Sequence, residues 1–93
     1  PVFEREMGCT GDELRAWLPG ASGGAPLAWR DDGADVAVGG GCLRLRWHAL
    51  PPRRIALIVL PRLRVRFEFD GAGADERRRF MRHFDLYTQR GGG

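Results

Sequence analysis

The side chains of this chain that could do chemistry are two cysteines, two histidines and one cluster of carboxylates, and their spacing argues against a reaction centre. A nucleophilic thiol needs a base within hydrogen-bond reach. Cys42 and His48 both fall on even positions of one alternating stretch, but six residues of extended chain hold them ~20 Å apart. Cys9 could meet His48 or His83 only through the tertiary fold. Together, Cys9, Cys42, His48 and His83 show none of the short ligand spacings that zinc sites use. Asp31, Asp32 and Asp35 gather carboxylates at one turn, where turn chemistry already accounts for them. His83 borders the apolar stripe of a C-terminal helix, the usual place of a half-buried structural histidine. The expectation is no catalytic residue, no metal and no cofactor, and binding rather than catalysis.

The glycine run Gly39-Gly40-Gly41 raises the question of a phosphate cradle. Such a cradle needs a strand before it and a helix N-terminus after it. Here strands lie on both sides, so the run reads as a hairpin loop. The C-terminal Gln89-Arg90-Gly91-Gly92-Gly93 resembles the mobile diglycine tail of ubiquitin-like sulfur carriers, which implies a carrier with an activated terminal glycine. In those proteins the tail follows a strand of a β-grasp fold, whereas here it follows a helix. A helix cap and a flexible Gly-rich tail over residues 90–93 is the simpler expectation.

The elements that must position any site come from periodicity. Over residues 42–70, odd positions are almost all apolar and even positions largely polar, with arginine the commonest of them. That period of two means strands with one face buried and one wet. Pro51-Pro52 is expected to end one strand near Ala49, since proline cannot donate to a central ladder. A turn at Leu60-Pro61-Arg62 would then separate strands over 55–59 and 63–69, with odd residues inward throughout. One long strand bent at Pro61, or a strand-exchanged dimer, keeps the same phase. Upstream, residues 2–7 read as a first strand, and Thr10-Gly-Asp-Glu13 fits a capping box. Leu14, Trp17 and Leu18 form one helical stripe that Pro19-Gly20 should end. Leu27 and Trp29, then Val36 and Val38, alternate in two strands joined by a turn at Asp31-Asp32-Gly33-Ala34, an even loop that exchanges the inward phase. Residues 74–89 form a second helix with Phe80, Phe84 and Tyr87 on its buried face and Arg77 and Leu86 as misfits.

The order is β-α-β-β-β-β-β-α: one two-layer α+β domain over residues 1–93, an antiparallel sheet with the helices on one face. That element order is similar to the TATA-binding-protein-like architecture or a shortened helix-grip fold. The resemblance rests on order alone and implies little about function.

Composition bounds the rest. All fifteen basic residues are arginine, a skew that reads as codon composition rather than selected guanidinium chemistry. A net charge of +3 with twelve carboxylates is too mild for a dedicated nucleic-acid binder. Two cysteines are too few for a disulfide framework, and two reduced thiols in a cytoplasmic protein fit better than one bridge. No apolar run approaches the ~18 residues of a membrane span, and the start lacks the regions of a signal peptide.

Two places remain for binding. On the even face, Arg44, Arg46 and His48 would flank one side of an apolar strip of Ala56, Ile58 and Leu60, with Arg62, Arg64 and Arg66 on the other. That arrangement suits a homodimer or an unknown protein partner. The plainer alternative is a solvated face whose arginines are neutralised by Glu4, Glu6, Glu68 and Asp70. Nucleic acid is disfavoured, because single-strand readers stack bases on exposed aromatics and this face offers only His48. The second place is an apolar-ligand cavity between sheet and helix, lined by Trp17, Trp29, Trp47, Phe67, Phe80 and Phe84. A filled core is the plainer use of those rings.

Overall fold

The computed structural model describes residues 1–89. The order is β1 (Val2–Met7), α1 (Gly11–Ala21), β2 (Leu27–Arg30), β3 (Gly33–Val38), β4 (Gly41–Ile55), β5 (Ile58–Asp70) and α2 (Ala74–Gln89). The five strands form one antiparallel sheet in the spatial order β1-β5-β4-β3-β2. This is an α+β fold, with one strand fewer than the spacing of prolines suggests. The tail at 90–93 lies outside the described residues.

The alternation in β4 and β5 does what period two predicts along most of its length. Leu43, Leu45, Trp47, Leu63, Val65, Phe67 and Phe69 are buried. They meet Leu14, Leu18 and Ala21 of α1 and Phe84 of α2 in a single core. The turn is shorter than expected, since Gly33 and Ala34 already belong to β3 and pair with Arg30 and Trp29, but the phase exchange holds, for Ala34 and Val36 are fully buried opposite Leu45 and Leu43. Gly33 is required at its position because any Cβ there would collide with the Leu45 carbonyl oxygen.

Both helices begin as their sequences ask. Thr10 caps α1: its Oγ1 accepts from the Glu13 amide at 3.0 Å, and Glu13 Oε1 accepts from the Thr10 amide at 2.9 Å. The helix runs one step past the expected stop and carries Pro19 inside its last turn. That turn closes because the Ser22 amide still donates to the Leu18 carbonyl at 2.9 Å. Gly20 sits where the Tyr87 ring of α2 presses against the backbone, leaving no room for a Cβ. In α2, Phe84 is buried while Phe80, Met81 and Tyr87 are packed partly against the core. Arg77 turns back to donate to the Ala72 carbonyl at 2.8 Å, and Leu86 is exposed.

The main departure from expectation lies at the prolines. Pro51-Pro52 does not end β4, and Pro61 is not in a turn. β4 and β5 continue past both as a two-stranded arm that turns at Ala56 and Leu57, with Ile55 opposite Ile58. The reason is where the ladder has neighbours. β3 accompanies β4 only as far as Arg46, and β1 accompanies β5 only from Leu63 onward. Beyond those points each strand has a free edge, and on an edge a proline removes no needed donor. The register slips between Leu50 and Arg53, where β4 holds one residue more than β5, a β-bulge containing both prolines. The arm stretches the molecule to 46 × 23 × 21 Å along its principal axes.

Candidate functional site

The arm overturns the expectation that odd residues point inward throughout. Ile55, Leu57 and Val59 are exposed, and Leu57 is 100 % so. Neither helix reaches this far, so the alternation continues with nothing to bury it. The bulge also shifts the phase of β4. Arg53 pairs with Leu60 and Ile55 with Ile58, so after the bulge odd residues of β4 share a face with even residues of β5. On the helix-free side the arm therefore presents Arg53, Ile55, Ile58 and Leu60, and on the other side Arg54 and Val59. Ile58 and Leu60 are 58 % and 43 % exposed.

The two arginine rows do not flank this apolar patch. They are direct neighbours in the body of the sheet, with Arg44 opposite Glu68, Arg46 opposite Arg66, His48 opposite Arg64 and Leu50 opposite Arg62. Ala56, Ile58 and Leu60 lie beyond them at the arm's end, and Ala56 sits in the turn at φ 53°. Like charges directly opposite one another oppose pairing. Here each guanidinium finds a carboxylate. Arg44 reaches Asp70 at 3.1 Å and Glu68 at 3.5 Å, and Arg46 reaches Asp35 at 2.9 Å. Arg62 reaches Glu6 at 2.8 Å, Arg64 reaches Glu4 at 3.4 Å, and Arg66 reaches Glu68 at 2.7 Å. The solvated reading of this face is the one its geometry fits. A shallow concavity of about 330 Å³ between Arg46, His48, Arg64 and Arg66 is bordered by Glu4 and Asp32, so its charge is already balanced in part.

Glu6 marks the base of the arm. It accepts two hydrogen bonds from Arg62 and lies 4.0 Å from Arg53. The Arg62 hydrogen bonds, more than any other group, hold its carboxyl below the usual carboxylate range. Arg62 in turn donates to the Pro51 carbonyl at 3.1 Å, tying the bulge to the neighbouring strand. Asp35 is likewise held low, first by its hydrogen bond from Arg30 and then by that from Arg46.

The six aromatics expected to line a cavity divide into two groups. Phe67, Phe80 and Phe84 fill the space between sheet and α2. Phe67 meets Phe84 edge-on at 5.4 Å, Phe80 stacks on Phe84 at 6.0 Å, and Phe3 stacks on Phe67 at 4.7 Å. Arg5 reaches across this cluster to pair with Asp85 of α2, its guanidinium 5.5 Å from the Phe3 and Phe67 ring centres. Elsewhere, the Arg15 guanidinium lies over the rings of both Trp29 and Trp47, at 5.1 and 5.6 Å from their centres. Arg15 also donates to the Arg30 and Asp31 carbonyls, so this clasp fastens α1 to the β2–β3 turn. Trp17 is packed against the core from α1.

The remaining chemistry-bearing residues do not converge. Cys9 and Cys42 are free thiols. Cys9 is buried on the helix side, and burial pushes its pKa up to about 11, with Glu13 adding to the effect. Cys42 is half-buried on the helix-free face. His83 is more exposed than its place beside the stripe suggests, with Nε2 2.9 Å from the Gly20 carbonyl oxygen. Among the described residues, no three of His, Cys, Asp and Glu gather closely enough to hold a metal ion, and no helix is long and apolar enough to cross a membrane. The exposed aliphatic residues Ile55, Leu57, Ile58, Val59 and Leu60 are only half visible in the sequence, because the odd ones carry the same pattern as core residues. No protein-family model matches the chain, and no curated protein matches it.

Proposed function

We propose that this protein is a protein-association module and that its contact surface is the β4–β5 arm, with the ion-paired helix-free face of the sheet as its margin. The observation that carries this reading is the arm's end itself. Five aliphatic side chains, one fully exposed, sit together on a projecting hairpin away from the core. Apolar clusters of this kind on small proteins mark sites of interaction. Arg62, paired with Glu6 at the arm's base, fits the polar margin of such a patch. A polyanion surface fits less well, since the arginines of the sheet body are engaged by carboxylates of the same face.

The test is sedimentation of the chain, first purified and then in cell extract. A 10.4 kDa chain that associates should run heavier in at least one of the two, and Leu57→Glu with Ile58→Glu should return it to its own mass. A chain that runs at its own mass in both would overturn the reading. A small apolar ligand held between sheet and α2 is the second reading. The aromatic stacking there leaves it less support than the arm.

A further inference from the structure

We infer that the arm is the hinge of a strand-exchanged dimer, in which β5 and α2 of each copy complete the sheet of the other. The inference rests on the association reading above and names its partner. Register carries the argument. From Cys42 opposite Asp70 to Leu50 opposite Arg62, the ladder pairs odd residues with odd and even with even. A two-residue turn joins residues of unlike parity, as it does here with Ile55 and Ile58. To close on itself through such a turn the chain must slip by one residue, and the bulge at Pro51-Pro52 supplies that slip. The turn so reached is a poor one. Ala56-Leu57 contains neither glycine nor asparagine, and Ala56 takes φ 53°.

Carried on without the slip, the register of the sheet body sets Pro51 opposite Pro61, Arg53 opposite Val59, Ile55 opposite Leu57 and Ala56 opposite itself. A residue faces itself only across a two-fold axis, so the unslipped ladder requires a second, identical chain. The bulge and the left-handed alanine both vanish in it. The odd apolar phase also becomes continuous, because Ile55 returns to the side of Trp47 and Val65. With the axis perpendicular to the ribbon, both helical layers stand on that same side, and Ile55, Leu57 and Val59 of the two copies gather between them.

The amide directions agree. The Trp47 amide donates to the Asp32 carbonyl at 2.8 Å and the Phe69 amide to the Pro1 carbonyl at 3.0 Å, so odd residues of β4 and β5 aim their amides away from each other. Pro51 and Pro61, both odd, thus turn their missing donors to the free edges. Pro52 alone forgoes a ladder bond, one in each half. Every contact outside the hinge is kept, and a short strained hinge favours exchange. Since β5 lies between β1 and β4, exchange passes through unfolded chains and depends on concentration during refolding.

The experiment is to unfold the purified full chain in urea, refold it at low and at high micromolar concentration, and separate the products by sedimentation velocity. The expected result is a species of twice the 10.4 kDa chain mass that grows with refolding concentration and persists on dilution. A second variant carries His48→Cys with Arg64→Cys, which face each other across β4 and β5, in a Cys42→Ser background. On oxidation, with closure checked by thiol titration, its dimer should stay covalent on a denaturing gel, whereas its monomer should hold the bond within one chain. Ala56→Asn with Leu57→Gly, which relieves the turn, should lower the dimer fraction about 10-fold or more. A dimer whose oxidised chains separate overturns the exchange and leaves the association reading standing. A monomer at every refolding concentration also overturns the exchange, and the association reading then stands only if the chain runs heavier in extract. A dimer that the Asn-Gly variant forms equally well overturns the hinge.

Discussion

Leu63 to Phe69 and Ile58 to Leu60 belong to one strand and follow one alternating pattern, yet the first segment is the wall of a core and the second stands in solvent. In the body of the sheet, α1 and α2 lie over the odd face, and β1 and β3 complete the ladder on both sides. In the arm there is neither a covering layer nor a third strand. Identical residue types thus stabilise the fold at one end and are left over at the other. What differs is the reach of the helices, and reach is a tertiary property. The lesson is that an alternating strand declares which residues share a face without declaring that the face is covered.

Substitutions can separate the two ends sharply. Phe67→Ala removes a fully buried ring from contacts with Phe3 and Phe84 and should cost about 3–5 kcal/mol in urea unfolding. Leu57→Ala at the apex should change monomer stability by less than ~0.5 kcal/mol. Comparable losses at the two sites would mean that the arm is part of the folding core.

The next effects are smaller and sit at element ends. Thr10→Ala breaks the capping box of α1 and should cost about 1 kcal/mol by the same measurement. Ala56 holds a left-handed conformation that an L-residue other than glycine adopts at a cost of about 1 kcal/mol. Ala56→Gly should therefore slow hydrogen exchange of arm amides while leaving the core midpoint nearly unchanged.

Acid should act on the arm's base and on the β2–β3 edge. Glu6 and Asp35 have carboxyls held below their ordinary values by arginine hydrogen bonds. A lowered folded-state pKa contributes stability that is present above the unfolded value and lost as pH falls through the folded one. Urea midpoints should thus fall modestly on going below about pH 4.5, and Glu6→Gln should flatten part of that slope. The thiols give the smallest contrast. Cys42 should react with a maleimide in the native state at pH 8, whereas Cys9, buried and shifted to about 11, should react only after unfolding.

How much of this was legible in the sequence follows from where each signal is local. The Thr10–Glu13 cap, the span of α2 and the phase exchange between β2 and β3 are set by neighbouring residues, and the structure has them as the sequence implies. The prolines mislead because their meaning depends on whether a strand lies beside them, which residues 50–62 do not encode. The bulge at Pro51-Pro52 adds one residue and reverses the side of Ile55, a shift that polarity could not reveal in a segment apolar on both sides. The arginine rows follow from the even positions, but their carboxylate partners are spread over β1, β3 and β5, so the balance of charge on this face depends on the sheet order.

The central claim is that the arm serves association and not folding. It is tested most directly by replacing residues 50–62 with Asn-Gly, which joins Ala49 to Leu63 across the register pair they already form. Thermal unfolding and sedimentation should be measured together on this variant. The account predicts a folded monomer at every concentration, with the melting temperature of the dilute full chain. An unfolded variant, or one that still associates, would contradict it.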